Sequence, residues 1–328
     1  VASVGPAASP IALGVAPTLG DLMHPMVAPA ASSPALTDLD DGGYFFRTRA
    51  SDAFRGAAVV AILEREGFEK IFVTYRGDAF GRGIGGVITA GLAANGREVV
   101  EHEYDFKSPT FAAEAVQAGV DAAPDAVVVV GFKGDREAVG QAAAGATWSP
   151  EPRFVLGSVT GLAGTDETDV WQNAIAITQT EEATEEKTAY RALYEMTWGD
   201  APGFASESCY DATWLLLMAM ALADDPTDGA QLKAALAKTN AGAEVPPSHA
   251  SFDFRPAVDR AVCDPDPRTL HTVGSVDVAA LDETLGYSAN WSPGGEATEA
   301  RITGSTRNIV DTTNGRKGFE VLLDREAA

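Results

Sequence analysis

Cysteine is nearly absent from this chain: its 328 residues include two, Cys209 and Cys263. They form no C-x-x-C pair and too small a set for a zinc site. A single disulfide in an exported protein and a pair of unlinked thiols both stay open. Histidine is scarce as well. His24, His102, His249 and His271 are scattered without metal-ligand spacing, so neither a metal site nor a cofactor is expected. Basic residues are few, 24 Lys and Arg against 47 Asp and Glu, which gives a formal net charge of -23. Such a chain repels phosphate backbones, and no nucleic-acid partner is expected. Long apolar runs are missing too. The longest, Ala212–Ala223, falls well short of the roughly 20 residues that a membrane span requires, and reads as a buried helix. No G-x-S-x-G elbow and no Walker loop occurs. The opening Val1-Ala2-Ser3-Val4-Gly5 has no basic n-region and reads as a strand running into a glycine turn, so the chain is expected to begin inside a domain.

With 45% hydrophobic and 22% charged residues, the chain has an ordinary globular composition and is long enough for two core-bearing lobes. Up to about Pro247, short apolar runs alternate with helical stretches. Strands are expected at Met26–Ala28, Lys70–Tyr75, Glu98–Tyr104, Ala126–Val130, Arg153–Leu156 and Ala174–Ile177. Helices are expected at Ile11–Leu22, Ala53–Glu66, Gly83–Ala94, Thr110–Ala122 and Asp135–Ala144, then at Glu182–Trp198, Ser206–Ala223 and Gln231–Thr239. Strands alternating with helices imply parallel sheets covered on both faces, and the unbroken Val127-Val128-Val129-Val130 suits a strand buried on both sides. Beyond Val245 the periodicity fades. Within that tail, Thr284–Asn290 reads as strand and loop, Ala297–Thr313 as a helix, and Gly318–Asp324 as a strand ending in an acid.

Two small-residue turns follow the first strands, Gly5-Pro6-Ala7-Ala8-Ser9-Pro10 and Ala28-Pro29-Ala30-Ala31-Ser32-Ser33-Pro34. Ligands of open α/β sheets bind beyond the carboxyl ends of the strands. Ser9, at a helix start, and Ser32 could each hold a carboxylate, and the Ala30 carbonyl could accept from an ammonium. Singly, each fits a plain cap or turn; together they point to a shared site. Phe80 and Phe132 follow later strands and could wall an apolar pocket or belong to ordinary core. The spacing G-x-G-x-x-G at Gly81–Gly86, with Glu101 and Glu103 about 20 residues on, offers a dinucleotide reading. Its first glycine stands too far beyond Tyr75, and Phe80 and Arg82 are bulky for a pyrophosphate turn.

Several stretches in order carry a resemblance: Val4-Gly5-Pro6-Ala7-Ala8-Ser9; Pro29-Ala30-Ala31-Ser32-Ser33-Pro34-Ala35-Leu36-Thr37; Tyr44-Phe45-Phe46-Arg47-Thr48 with Ser51-Asp52; Asp78-Ala79-Phe80-Gly81-Arg82-Gly83; Pro124-Asp125-Ala126-Val127-Val128-Val129; and Ser208-Cys209-Tyr210-Asp211-Ala212. From about Val1 to Asp253 the chain resembles the leucine/isoleucine/valine-binding family of ABC-transporter receptors, the type I periplasmic binding proteins. The resemblance implies two doubly wound parallel-sheet lobes joined by a hinge and closing on a small ligand. Residues 1–46 and 180–243 would form lobe 1, residues 47–179 lobe 2, and residues 244–328 the hinge return and tail. By position, Ser9 and Ser32 would hold an α-carboxylate, Ala30 an ammonium, and Phe80 and Phe132 would be the aromatics of the far lobe. The partners implied are an amino acid or a related carboxylate or amide, and an ABC permease at the membrane. The receptor would be a periplasmic or extracellular monomer, either free or membrane-anchored in a full-length form.

Three features depart from the family pattern. No acid follows Leu156 before Asp166, where an ammonium partner is usual, so Asp166 or Glu207 would have to serve. The opening β-α-β unit is missing. The tail after about Ser275 has no clear counterpart; it either diverges or supplies the missing unit by circular permutation or from tandem domains. Two other functions stay in view: an NAD-dependent oxidoreductase using the Gly81–Gly86 turn, and a sensory ligand-binding module of the same fold. The expected outcome of an NAD titration is no saturable binding in the micromolar range; such binding, abolished by Gly83→Val, would overturn the receptor expectation.

Overall fold

The computed structural model describes residues 2–37, 39–49, 51–159, 171, 174–178, 185–203 and 205–236, and the strand residues 243–245, 268–270, 298–303, 307–312 and 320–324. Asp166, His249, Cys263, His271 and Thr284–Asn290 lie outside them. The chain divides into two compact units. Unit 1 comprises Val1–Ser51, Glu181–Thr298 and Thr313–Lys317; unit 2 comprises Asp52–Thr180, Glu299–Thr312 and Gly318–Ala328.

In unit 1, β1 (Ser3–Val4), β2 (Met26–Ala28) and β3 (Phe45–Arg47) form a parallel sheet in that order, Val27 pairing with Val4 and Phe46. The expected helix Ile11–Leu22 is instead α1 (Ser9–Val15), a 3-10 turn (Ala16–Thr18) and α2 (Leu19–Leu22). Pro17 explains the break, since it has no N–H to donate and its ring crowds the preceding turn. Helices α7 (Glu185–Trp198), α8 (Ser206–Leu222) and α9 (Gly229–Leu236) complete the unit. The apolar helix expected near Ala212 is α8. Its Ala212, Trp214, Leu215, Leu216 and Ala219 are buried with Val27, Phe46, Leu232 and Leu236. Among the described residues, no helix is long and apolar enough to cross a membrane. Strands β9 (Ala243–Val245) and β10 (Arg268–Leu270) pair in parallel.

In unit 2 the alternation α3 (Asp52–Glu66), β4 (Lys70–Arg76), α4 (Ala79–Ala94), β5 (Glu98–Tyr104), α5 (Phe111–Ala122), β6 (Ala126–Val130), α6 (Lys133–Ala144), β7 (Arg153–Val159) and β8 (Ile175–Thr178) builds a doubly wound sheet. Strands β4 to β8 pair in parallel in the order β8-β7-β6-β4-β5. The valine run is buried on both faces as expected. Ala126, Val128 and Val130 join Ile71, Val73, Ile84 and Ile88 on one side; Val127 and Val129 join Phe72, Val116 and Val139 on the other. This alternation follows from the two-residue period of a strand. The sheet continues through β11 (Thr298–Thr303), β12 (Arg307–Thr312) and β13 (Glu320–Asp324), with β11 antiparallel to β8 and β12 antiparallel to β13. The described residues of the helix expected at Ala297–Thr313 are therefore in two strands. Its β-branched Thr298, Ile302, Thr303, Ile309, Val310 and Thr312 suit a pleated surface better than a helix.

The Gly81–Gly86 segment is not a turn. Helix α4 starts at Ala79, four residues earlier than the expected Gly83, because Asp78 caps it by accepting from the amides of Phe80 and Gly81, both at 3.0 Å. All the glycines of the motif are thus helical, which removes the strand-to-helix phosphate turn that a dinucleotide site requires. They serve packing instead. A Cβ on Gly81 would lie 2.1 Å from the Arg76 carbonyl oxygen, and one on Gly85 2.5 Å from the Tyr75 ring, whereas one on Gly86 would meet nothing within 4 Å. Gly81→Ala is expected to destabilise by about 1–3 kcal/mol, and Gly86→Ala to stabilise by up to about 1 kcal/mol through helix propensity. Paired urea titrations check both signs.

Candidate functional site

The serine turns of unit 1 come together. Ser9 and Ser32 are buried, as are Ala30 and Ser33. Ser9 is the first residue of α1 rather than its cap. The extended Ala8 takes the cap position, and its carbonyl accepts from the amides of Ile11 and Ala12. The Ser9 hydroxyl oxygen accepts instead from the backbone amides of Ser32 and Ser33, both at 3.1 Å. A hydroxyl has two acceptor positions and one proton, so what Ser9 can still offer is its proton. A carboxylate or carbonyl oxygen is the matching chemistry.

Arg47, at the end of β3, secures the second turn. Its buried guanidinium donates to the Ser33 carbonyl at 3.0 Å and to Thr37 Oγ1 at 2.7 Å. The Asp41 carboxylate accepts from the amides of Gly43 and Phe45, and Thr48 Oγ1 donates to the Ser208 carbonyl at 3.0 Å. Glu207, one residue earlier, is buried against Arg191 at 2.7 Å. Cys209 is exposed, and its possible partner Cys263 lies outside the described residues.

Phe80 and Phe132 meet in unit 2, beyond the carboxyl ends of β4 and β6. Their rings stack with centroids 4.8 Å apart, and Phe132 is half exposed. Behind them stands Arg76, the last residue of β4. It binds Asp78 at 2.5 Å through Nε and Asp135 at 2.8 Å through Nη1, and its guanidinium carbon lies 3.4 Å from the Phe106 ring centroid and 4.7 Å from that of Phe132. Burial opposes the guanidinium charge, but the bonds to Asp78 and Asp135 outweigh it and hold Arg76 above its ordinary pKa. Burial, followed by the nearby Asp135 charge, pushes the Tyr104 phenol far up, so it stays neutral and donates to the Val130 carbonyl at 3.0 Å.

Strand β7 runs to Val159 rather than ending at Leu156, with a register irregularity between them. Buried Ser158 exchanges hydrogen bonds with Gly131, donating to its carbonyl at 2.9 Å and accepting from its amide at 3.0 Å. Arg136 Nη1 donates to the carbonyls of both Gly131 and Ser158 at 2.7 Å. The described end of β7 thus has a serine where the family pattern has an acid, and Asp166 lies outside the described residues. The sequence reading missed Arg47, Arg76, Asp135 and Arg136. The one signal it offered was arginine closing an apolar strand, at Arg47 and Arg76. Among the described residues, no group of three potential metal-ligating side chains occurs.

A doubly wound parallel sheet with side chains gathered at its carboxyl ends is the arrangement at which α/β proteins hold small ligands. The chain belongs to the periplasmic binding protein family, whose sequence profile matches residues 1–257. Its fold is similar to the leucine-binding protein LivK of Thermotoga maritima, with a TM-score of 0.63 and 17% identity over 98% of this chain and 79% of that one. It is also similar to the branched-chain amino-acid transporter substrate-binding protein LivJ of Streptococcus pneumoniae in complex with isoleucine (TM-score 0.59, 18% identity, 98% and 79% covered). A third similar structure is an ABC-transporter solute-binding protein of Rhodopseudomonas palustris in complex with 3,4-dihydroxybenzoic acid (TM-score 0.55, 21% identity, 71% and 65% covered). No curated protein sequence matches the chain.

Ser9→Ala removes the acceptor that joins the two turns of unit 1. It is expected to lower stability by about 1–3 kcal/mol, the usual cost of depriving buried donors of a partner, and chemical denaturation monitored by circular dichroism measures it.

Proposed function

We propose that this protein is an extracytoplasmic receptor for a small carboxylate ligand, an amino acid foremost, that delivers it to an ABC importer and catalyses no reaction. The residues proposed for ligand binding are Ser9, Ala30 and Ser32 in unit 1 and Phe80 and Phe132 in unit 2. The carrying observation is the Ser9 hydroxyl, whose acceptor positions are taken by the amides of Ser32 and Ser33, leaving its proton to offer. That polarity suits an anionic oxygen. The stacked pair of Phe80 and half-exposed Phe132 suits an apolar side group. The relatives bound to isoleucine and to 3,4-dihydroxybenzoic acid support a small organic acid as the ligand class. The receptor acts as a monomer in the periplasm or at the cell surface. A sensory role for the same binding chemistry would show as a transmembrane segment in a longer chain, and a transport role as permease and ATPase genes alongside.

The described end of β7 favours a second reading, a carboxylate ligand with no ammonium, since Gly157-Ser158-Val159 has no acid to balance one. An unpaired buried ammonium costs several kcal/mol even after relaxation. The Ala30 carbonyl is the group proposed to accept from it. Calorimetry with leucine and its des-amino analogue decides between the two. The amino-acid reading expects leucine to bind at least about tenfold more tightly; equal or tighter binding of the analogue would remove the ammonium site and the amino-acid assignment with it.

A further inference from the structure

We propose that Arg76 is the positioning residue of the aromatic wall in unit 2, fixing Phe80 and Phe132 by bridging the carboxylates that anchor the start of each ring's helix. The inference rests on the receptor reading above. Asp78 accepts from the amides of Phe80 and Gly81 at 3.0 Å, which sets where α4 begins. Asp135 Oδ2 accepts from the Phe132 amide at 3.1 Å, at the start of α6. Arg76 holds Asp78 through Nε and Asp135 through Nη1, two donors in one rigid plane. The backbone of each phenylalanine is therefore one carboxylate away from the same guanidinium, which also lies against the Phe132 ring. The stacking of Phe80 on Phe132 joins residues 52 positions apart, and this bridge spans the same gap through side chains.

The two carboxylates also need Arg76 electrostatically. Both are largely buried, with side-chain exposures of 15% for Asp78 and 12% for Asp135. Without Arg76 they would face each other as like charges in a partly desolvated region. Loss of charge balance and loss of the bridge are thus separable. Arg76→Met removes both. Arg76→Met combined with Asp135→Asn lifts the repulsion and keeps an oxygen to accept from the Phe132 amide, but builds no bridge.

The test uses protein labelled with 4-fluorophenylalanine, the Phe80 and Phe132 signals being assigned through Phe80→Leu and Phe132→Leu. Fluorine NMR reads ring position, thermal melts read stability, and calorimetry with leucine reads affinity. Arg76→Met is expected to shift both ring signals and to weaken leucine by about tenfold or more. The double variant is expected to regain the melting temperature while the ring signals stay shifted. Wild-type ring signals in the double variant would overturn the proposal, because charge balance alone would then position the rings. Unchanged signals in Arg76→Met would overturn it as well. If leucine does not bind the wild-type protein, the amino-acid reading falls, and the ring signals still decide the role of Arg76.

Discussion

Burial of β6 on both faces is the constraint from which unit 2 follows. Five consecutive apolar residues, Ala126–Val130, leave no face of this strand for water, so helices must cover both sides of the sheet. Parallel neighbours then require crossover connections, and α4, α5 and α6 supply them. Every crossover returns the chain to the amino end of the next strand. The carboxyl ends are left carrying loops that the core does not need, and Arg76, Asp78, Phe80, Gly131 and Phe132 stand there. The placement of these candidate residues is a by-product of covering a two-sided sheet.

Those loops would be loose without internal fastening, and both units use arginine for it. Arg47 binds a carbonyl and a threonine hydroxyl in unit 1; Arg136 binds the carbonyls of Gly131 and Ser158 in unit 2. A guanidinium can satisfy several acceptors from one rigid plane, and carbonyls beyond a strand end have no ladder partner. Tyr104 does the same for the Val130 carbonyl. Gly131 belongs to this arrangement, since a Cβ there would lie 2.1 Å from the Tyr104 hydroxyl. The chain is strongly acidic overall, yet arginine does the fastening where loops meet the sheet.

Family membership and ligand chemistry rest on different observations. The fold follows from strand order and is shared with receptors at 16–21% identity. At that distance a shared sheet does not fix which small molecule is held at its end. Similar structures carry isoleucine in one case and an aromatic acid in another. In the function proposed, the ligand is decided by a few side chains: the Ser9 hydroxyl, with its proton still to donate, and the aromatic pair.

Most strand and helix identities up to Leu236 were legible because they depend on local period and burial; β3 was not among the expected strands, and the helix expected over Ile11–Leu22 is broken at Pro17. Val127–Val130 could only be a doubly buried strand, and Ser206–Leu222 only a buried helix. Legibility failed where a neighbour in space decided the outcome. The start of α4 moved to Ala79 because Asp78 caps it, and the glycines after it pack against Tyr75 and Arg76 instead of framing a phosphate. The expected helix after Ala297 became strands β11 and β12, in a sheet that includes β8, more than a hundred residues earlier. The sequence by itself determined the alternating α/β class, the family and the candidates Ser9, Ala30, Ser32, Phe80 and Phe132. Only the tertiary structure decided that Ser9 bonds the amides of Ser32 and Ser33, that Phe80 stacks on Phe132, and that Arg76 joins Asp78 to Asp135. Periodicity reports which face of an element is buried, whereas hydrogen bonds and ring contacts between distant residues depend on how the elements are brought together.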